Sequence, residues 1–430
     1  MGMIPQQPPQ ASRPSMSITS SRIALEQLDV SVLSKDKIRE LFRTGKLPTA
    51  DQIVEEIFNR AIQSGASDIH FEPFENEFLI RLGHEGTLKK LVALPPDMNE
   101  PIINVLKTKA SLNQFEKKKP QEGRFTALYG KEPFDFRVNV LPVLNGERCL
   151  VRIWYKSTSI TRIEELGFAK ENLERFKMLL HRPKGLLLIT GPSSSGKSTT
   201  VFAAVNHIYT PEKSIITLED PVEFRLPFAS QVHLPPDKSF GFVEGLRAIL
   251  RQDPNIIVIG EIRDAETAIV ASEAAITGNF VISTMLADDA IGAIHRLFNW
   301  GVPSYLLASS LIGIVYQLLV RRICPSCKEE YQLTPEELQM FGLQMNTSEL
   351  KLYRGRGCQN CGGTGYKGRT SICEVLTVSN TLRDLINKKE SMLRLQEEAM
   401  KYGYQAIRHD AVRKSIMGIT SLHEVARVLG

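Results

Sequence analysis

The stretch Gly191-Pro192-Ser193-Ser194-Ser195-Gly196-Lys197-Ser198 constrains this chain more than any other feature, because it fits G-x-x-x-x-G-K-[ST]. Such a loop works only where a strand delivers it and a helix leaves it, so that backbone N–H groups and the positive end of the helix face a phosphate. The flanks have the required patterns: Leu186 to Ile189 reads as an apolar strand, and Ser198 to Ile208 reads as a helix. In that setting Lys197 reaches the β- and γ-phosphates and Ser198 ligates Mg²⁺. The expected ATP-binding set is Gly191, Pro192, Ser193, Ser194, Ser195, Gly196, Lys197, Ser198 and Thr199.

Around the loop, strand-like runs alternate with helical patterns: Leu186 to Ile189, Ser214 to Leu218, Ile256 to Ile259 and Phe280 to Ser283. Alternation of this kind predicts an α/β domain with a mostly parallel sheet. Two groups of carboxylates follow these strands. Glu261 comes directly after Ile256 to Ile259, where a P-loop enzyme holds Mg²⁺ through water. Glu219, Asp220 and Glu223 follow Ser214 to Leu218, and catalytic groups gather at the carboxyl ends of parallel strands. A solvated acidic turn is the alternative for this second group.

The rest of the chain supplies the frame. Its 42% hydrophobic and 23% charged residues exclude wholesale disorder, and a net charge of +5 over 430 residues is too dilute to argue for nucleic acid. The proline-rich start has no apolar core and reads as a tail. Ala50 to Ser64 has helical spacing, and Phe78 to Ile80, Arg124 to Thr126, Phe134 to Val140 and Leu150 to Trp154 read as strands of a mixed α/β domain. The apolar run Tyr305 to Val320 is shorter than the roughly 20 residues that span a bilayer, and it predicts a buried helix closed by Arg321 and Arg322. No transmembrane segment is expected. Thr381 to Leu429 reads as helices only.

Cysteine spacing adds a metal site. Cys324 and Cys327 form one C-x-x-C pair, Cys358 and Cys361 another, with 30 residues between the pairs. Four thiolates around a tetrahedral Zn²⁺ make a closed site that stabilises fold and does no chemistry. Free buried thiols are the alternative. The intervening stretch is expected to be a helical insertion. A zinc-knuckle nucleic-acid binder would need an unbroken basic and aromatic surface, which Glu329 and Glu330 dilute. Cys149 and Cys373 read as buried packing residues.

These motifs, in this order, resemble those of the type II secretion and type IV pilus assembly ATPases. The resemblance spans Asp51 to Leu429. It includes Ala66-Ser-Asp68-Ile-His70, the acidic box Glu219 to Glu223, Leu246 to Pro254, Gly260-Glu261-Ile-Arg263-Asp264 and Gly418 to Leu422. It implies a RecA-like P-loop ATPase core with an N-terminal α/β (PAS-like) domain, a tetracysteine zinc insertion and a C-terminal helical subdomain. The expected divisions are a weakly ordered tail at 1–45, an α/β domain at 46–155, a linker at 156–162, the ATPase domain at 163–321, the zinc insertion at 322–371 and the helical subdomain at 372–430. The resemblance further implies a homo-hexameric motor on the cytoplasmic face of the inner membrane, partnered by a platform protein and a ring protein. It marks Arg124 and Arg137 as candidate arginine fingers, since a guanidinium from a neighbour neutralises charge on the transferred phosphoryl; surface arginines on strands are the alternative. For hydrolysis, Glu219 or Glu223 orients the attacking water and Glu261 serves the metal. The tetracysteine module favours assembly over retraction.

The chain departs from the family at several points. The histidine box reads Thr277-Gly278-Asn279 through Ser283-Thr284-Met285-Leu286, with Asn279 and Leu286 in the histidine positions. The R-x-R-x-D-G turn keeps only Arg81 and Gly86, with Gly83 and Glu85 at the substituted positions, and the P-loop carries Ser194 where relatives have Gly. All three departures are expected to touch phosphate sensing or coupling. They imply intact nucleotide binding with slow or partner-dependent turnover, or an assembly scaffold with weak turnover. The family's N-terminal docking domain is expected to be nearly absent, so recruitment by the ring protein is an open point.

Overall fold

The structure is a computed structural model that describes residues 48–84, 86–130, 132–155, 162–234, 239–332 and 351–430. The expected tail at 1–45, nearly all of the linker and the stretch 333–350 between the cysteine pairs lie outside the described residues. The chain divides into two compact units between Lys156 and Ser157.

In the first unit, α1 (Ala50–Gln63) starts at a capping box in which Thr49 and Gln52 satisfy each other's backbone N–H groups. The strands β1 (Asp68–Pro73), β2 (Phe78–His84), β3 (Thr87–Leu94), β4 (Gln121–Tyr129), β5 (Glu132–Val143) and β6 (Gly146–Tyr155) form one sheet in the order β3-β2-β1-β6-β5-β4. All neighbours are antiparallel. Their alternation leaves one face apolar, and α1 covers it: Phe58 stacks on Phe136 at 5.0 Å, and Phe136 on Phe125 at 4.7 Å. Within α2 (Asn99–Lys109), Lys107 is fully buried, and its ammonium is held by Glu147 at 2.6 Å and the Glu116 carbonyl at 2.8 Å.

The second unit is built on a sheet of order β15-β12-β7-β11-β10-β8-β9, in which β12 is Leu311–Ile323 and β15 is Tyr366–Thr377. Its parallel part comprises β7 (Gly185–Thr190), β8 (Ile215–Glu219), β9 (Ser230–His233), β10 (Ile256–Ile259) and β11 (Phe280–Met285). Strands β7, β8, β10 and β11 are buried along their whole length, which is why each reads as an unbroken apolar run. The flanking helices include α3 (Lys170–Leu180), α4 (Lys197–Ile208), α5 (Phe242–Leu250), α6 (Ala265–Thr277) and α7 (Ala290–Asn299). The expected α/β class and mostly parallel sheet are therefore present.

One element differs from expectation. Tyr305 to Val320 is not one helix: α8 (Ser304–Ser310) stops, and β12 (Leu311–Ile323) runs parallel to β7 and antiparallel to β15 (Tyr366–Thr377). A strand buried on both faces carries no period that separates it from a buried helix. Sheet pairing decides, and Gly313 permits it, since a Cβ there would collide with the backbone carbonyl of Leu376 and the side chain of Leu179. Arg321 is thus no helix cap. It lies in β12 and pairs with Glu424 at 2.7 Å. The boundaries expected at 321/322 and 371/372 both fall inside strands, β12 and β15, which tie the cysteine module into the main sheet.

The chain ends as expected in helices: α9 (Asn380–Asn387), α10 (Met392–Lys401), α11 (Ile407–Ile416) and α12 (Leu422–Leu429). Buried carboxylates fasten them. Glu374 of β15 accepts the first N–H of α7, from Ala290, and the first N–H of α11, from Ile407, each at 2.7 Å. Glu424 of α12 receives Arg321 and Arg427. Among the described residues no helix is long and apolar enough to cross a membrane.

Candidate functional site

The phosphate loop leaves the carboxyl end of β7 and turns into α4 through left-handed backbone at Ser194 (φ 63°) and Gly196 (φ 87°). Ser194 accepts, with a side chain, a conformation in which glycine would be free of strain. Gly191 is required by packing, because a Cβ there would strike the backbone carbonyl of Gln317. Lys197 lies at the head of α4, and its Nζ donates to the carbonyls of Gly191 at 2.9 Å and Pro192 at 2.7 Å. Burial lowers its pKa, and the charges of Glu261 and Glu223 oppose that shift. Ser195 Oγ is buried with no hydrogen-bond partner among the described residues. A loop with N–H groups at a helix start, a half-buried lysine and an unsatisfied hydroxyl fits a phosphate chain.

The charges of Glu261 and Glu223 thus act on Lys197. Glu219 differs in character. It is 3% exposed and accepts from Thr217 Oγ1 at 2.7 Å and Gln231 Nε2 at 3.0 Å. Burial raises its pKa despite those bonds. Glu223 is exposed. Glu261, partly buried, accepts from Arg263 at 2.7 Å.

The two positions of the altered histidine box are separated by the length of β11, about 20 Å at 3.3 Å per residue. Leu286 follows Met285, which pairs with Thr190, so it stands beside the start of the phosphate loop. Asn279 lies at the opposite, amino end of the sheet. Its Nδ2 donates to Pro254 O at 2.6 Å, and its own carbonyl accepts from Gly185. Of the two replacements, Leu286 therefore stands at the phosphate end of β11, where phosphate sensing is expected, and Asn279 at the end away from the loop, where only the expected coupling could involve it. Of the R-x-R-x-D-G turn, Arg81 pairs with Glu72 at 2.6 Å, and Glu85 lies outside the described residues.

In the first unit, Arg124 of β4 is in register with Arg137 of β5, which is in register with Arg152 of β6. Their neighbours Phe125 and Phe136 face α1, so these arginines occupy the other face of the sheet. Arg137 is paired with Glu122 and Arg152 with Asp68, whereas Arg124 is exposed and has no side-chain partner among the described residues.

The four expected metal ligands converge. Their Sγ atoms all lie within 4.8 Å of one another, with Cys324–Cys358 and Cys327–Cys361 at 3.9 Å and Cys358–Cys361 at 3.7 Å. A tetrahedral Zn²⁺ with bonds of about 2.3 Å sets its sulfurs about 3.8 Å apart, so the donor set fits that ion. Backbone N–H groups of Cys358 and Gly365 point at Cys361 Sγ, each at 3.2 Å, as thiolate ligands require. The strands β13 (Lys328–Tyr331) and β14 (Leu352–Gly355) lie between the pairs in sequence and form their own small sheet.

Sequence reasoning missed Gln317. It appears there only as a polar interruption in an apolar run, and nothing local connects it to a loop more than 100 residues earlier.

The family model for type II/IV secretion system proteins matches residues 44–427. The type IV pilus assembly ATPase PilB of Thermus thermophilus is 42% identical over 377 residues, 87% of this chain and 42% of that protein. The type II secretion system protein E of Dickeya dadantii is 39% identical over 379 residues, 88% of this chain and 75% of that protein. The chain thus spans less than half of the first relative and three quarters of the second. Among solved structures, the pilus retraction motor PilT with bound ADP aligns at a TM-score of 0.60 with 27% identity, covering 86% of this chain and 95% of that one. The Legionella pneumophila ATPase DotB aligns at 0.65 with 20% identity, covering 87% and 94%, which speaks to fold alone.

Proposed function

The chain belongs to the family of type II/IV secretion system proteins, and we propose that it is an ATP hydrolase driving assembly of a type IV pilus or type II secretion pseudopilus. The observation that carries this reading is the phosphate loop at the carboxyl end of β7, which runs into α4 with Lys197 at its head and Ser195 Oγ buried without a hydrogen-bond partner among the described residues. Residues 191–199 would hold the nucleotide, and Ser198 and Glu261 would hold its Mg²⁺. When bound, Mg²⁺ neutralises charge on the phosphate oxygens during transfer. Glu223, exposed and with its charge acting on Lys197, is the better candidate to orient the attacking water. Glu219 has its carboxylate engaged by Thr217 and Gln231 and serves to hold the acidic box. Arg124, without a side-chain partner among the described residues, is the stronger candidate finger, and Arg137 is already matched to Glu122.

The motor works as a homo-hexamer on the cytoplasmic face of the inner membrane, against a platform protein, with the ring protein a further partner. The relatives at 42% and 39% identity are a pilus assembly ATPase and a secretion system protein, while the retraction motor aligns at 27%, which favours assembly over retraction. Zn²⁺ on Cys324, Cys327, Cys358 and Cys361 is structural. Steady-state ATP hydrolysis by the purified protein, with Lys197→Ala as control, tests the reading. Turnover that exceeds the control supports it. The second reading, a nucleotide-binding scaffold, is favoured by Leu286 at the phosphate end of β11, where no side-chain hydrogen bond to phosphate can form. It predicts Lys197-dependent binding of ATP with turnover no faster than the control.

A further inference from the structure

We infer that Gln317 is a positioning residue for the phosphate loop; the inference rests on the nucleotide reading above. Gln317 lies in the middle of β12, 1% exposed, with buried Tyr316 and Leu318 on either side. An amide in such a place is costly unless its polar atoms are bonded. Its partners all belong to the loop and the helix that follows. Nε2 donates to the carbonyl of Ser195 at 2.8 Å, and Oε1 accepts from Thr200 Oγ1 at 2.7 Å. The backbone carbonyl of Gln317 fills the space a Cβ on Gly191 would need, and its Nε2 lies against Gly196. One residue therefore touches the first glycine of the loop, its last turn and the first turn of α4.

The consequence for phosphate follows from peptide geometry. The Ser195 carbonyl and the Gly196 N–H belong to one planar trans peptide and point in opposite directions. Holding that carbonyl on Gln317 turns the Gly196 N–H away from β12, as a donor free for phosphate. If the peptide flips, the loop loses that donor and Gln317 is left buried without its acceptor. The side chain acts through Ser195 and Thr200 and does not itself reach phosphate. Its strand is joined to β15 through Cys373, so the loop is anchored on the strand pair that carries the cysteine module and Glu374.

The test is titration of the full chain with fluorescent ADP and Mg²⁺, alongside thermal unfolding without nucleotide. Variants are Gln317→Leu, which keeps the shape and removes both bonds, and Thr200→Val, which removes only the bond to Oε1. Gln317→Leu is expected to weaken ADP binding about tenfold or more, and Thr200→Val about threefold, as loss of two or one buried hydrogen bonds implies. Thermal midpoints without nucleotide should fall modestly, because each change leaves a buried polar partner unbonded, with both variants still folded at the titration temperature. A Gln317→Leu protein that binds ADP like wild type overturns the inference while leaving the nucleotide reading intact. A lowered thermal midpoint with unchanged affinity assigns Gln317 a purely structural role and also overturns it. If the Leu variant does not fold, Thr200→Val binding at wild-type affinity overturns the inference. Wild type that fails to bind ADP, or binds it no better than Lys197→Ala, overturns the nucleotide reading itself.

Discussion

Replacing Glu424 by Gln should loosen the last helix from the main sheet by an amount that the geometry sets. The carboxylate is 1% exposed. Oε1 accepts from Arg321 N at 3.0 Å and Arg427 Nη2 at 2.7 Å. Oε2 accepts from Arg321 Nε at 3.0 Å, Arg321 Nη2 at 2.7 Å and Arg427 Nε at 2.7 Å. An amide oxygen can take over the Oε2 position, but its NH₂ then faces two donors and the remaining bonds lose charge assistance. A hydrogen bond to a charged group contributes about 1.5–3 kcal/mol, and breaking a buried pair from one side costs about 3–5 kcal/mol. Arg427, 41% exposed at its side chain, can rehydrate, and Arg321, at 17%, only partly. A loss of about 3 kcal/mol is expected, lowering the thermal midpoint by roughly 6–10 °C.

The sign with pH follows from linkage. Burial alone would raise the Glu424 pKa, but Arg427 and Arg321 outweigh it and hold the pKa below the ordinary value. The stabilisation is then fully present above the unfolded value of about 4.3 and is lost as pH falls through the folded pKa. Denaturant unfolding of wild type and Glu424→Gln at pH 7 and in increasing acid checks this. A difference below about 1 kcal/mol at pH 7, or one that grows on acidification, would refute the argument.

Other outcomes can be stated more briefly. Metal analysis of the purified protein should find zinc in equal amount to chain, and Cys358→Ser or a strong chelator should remove it and lower the thermal midpoint, because the closed thiolate site is folding energy. Leu286→His, at the phosphate end of β11, should change the ATP hydrolysis rate, whereas Asn279→His, at the amino end, should leave it within about twofold. Ser194→Gly should raise stability by up to about 1 kcal/mol by relieving the left-handed backbone at φ 63°, as calorimetry would measure.

The sequence by itself determined whatever depends on short spacing. Gly191 to Ser198 specified a strand, a loop and a helix, and β7 and α4 are there. Two C-x-x-C pairs specified four converging thiols, and the sulfurs meet. The apolar runs before Glu219 and Glu261 specified parallel strands that deliver carboxylates to one end of a sheet. Only the tertiary structure decided what depends on partners far along the chain. Buried strands lack a period, so β12 became a strand through β7 and β15 rather than through its own pattern. Sheet direction placed Leu286 beside the phosphate loop and Asn279 at the far end, although seven positions separate them in sequence. Gln317 and Glu424 drew their roles from Ser195 and Arg321, more than 100 residues away in the chain. Local pattern records what a segment can form; which buried polar groups satisfy one another is settled only when the segments pack, because an unpaired one is too costly to keep.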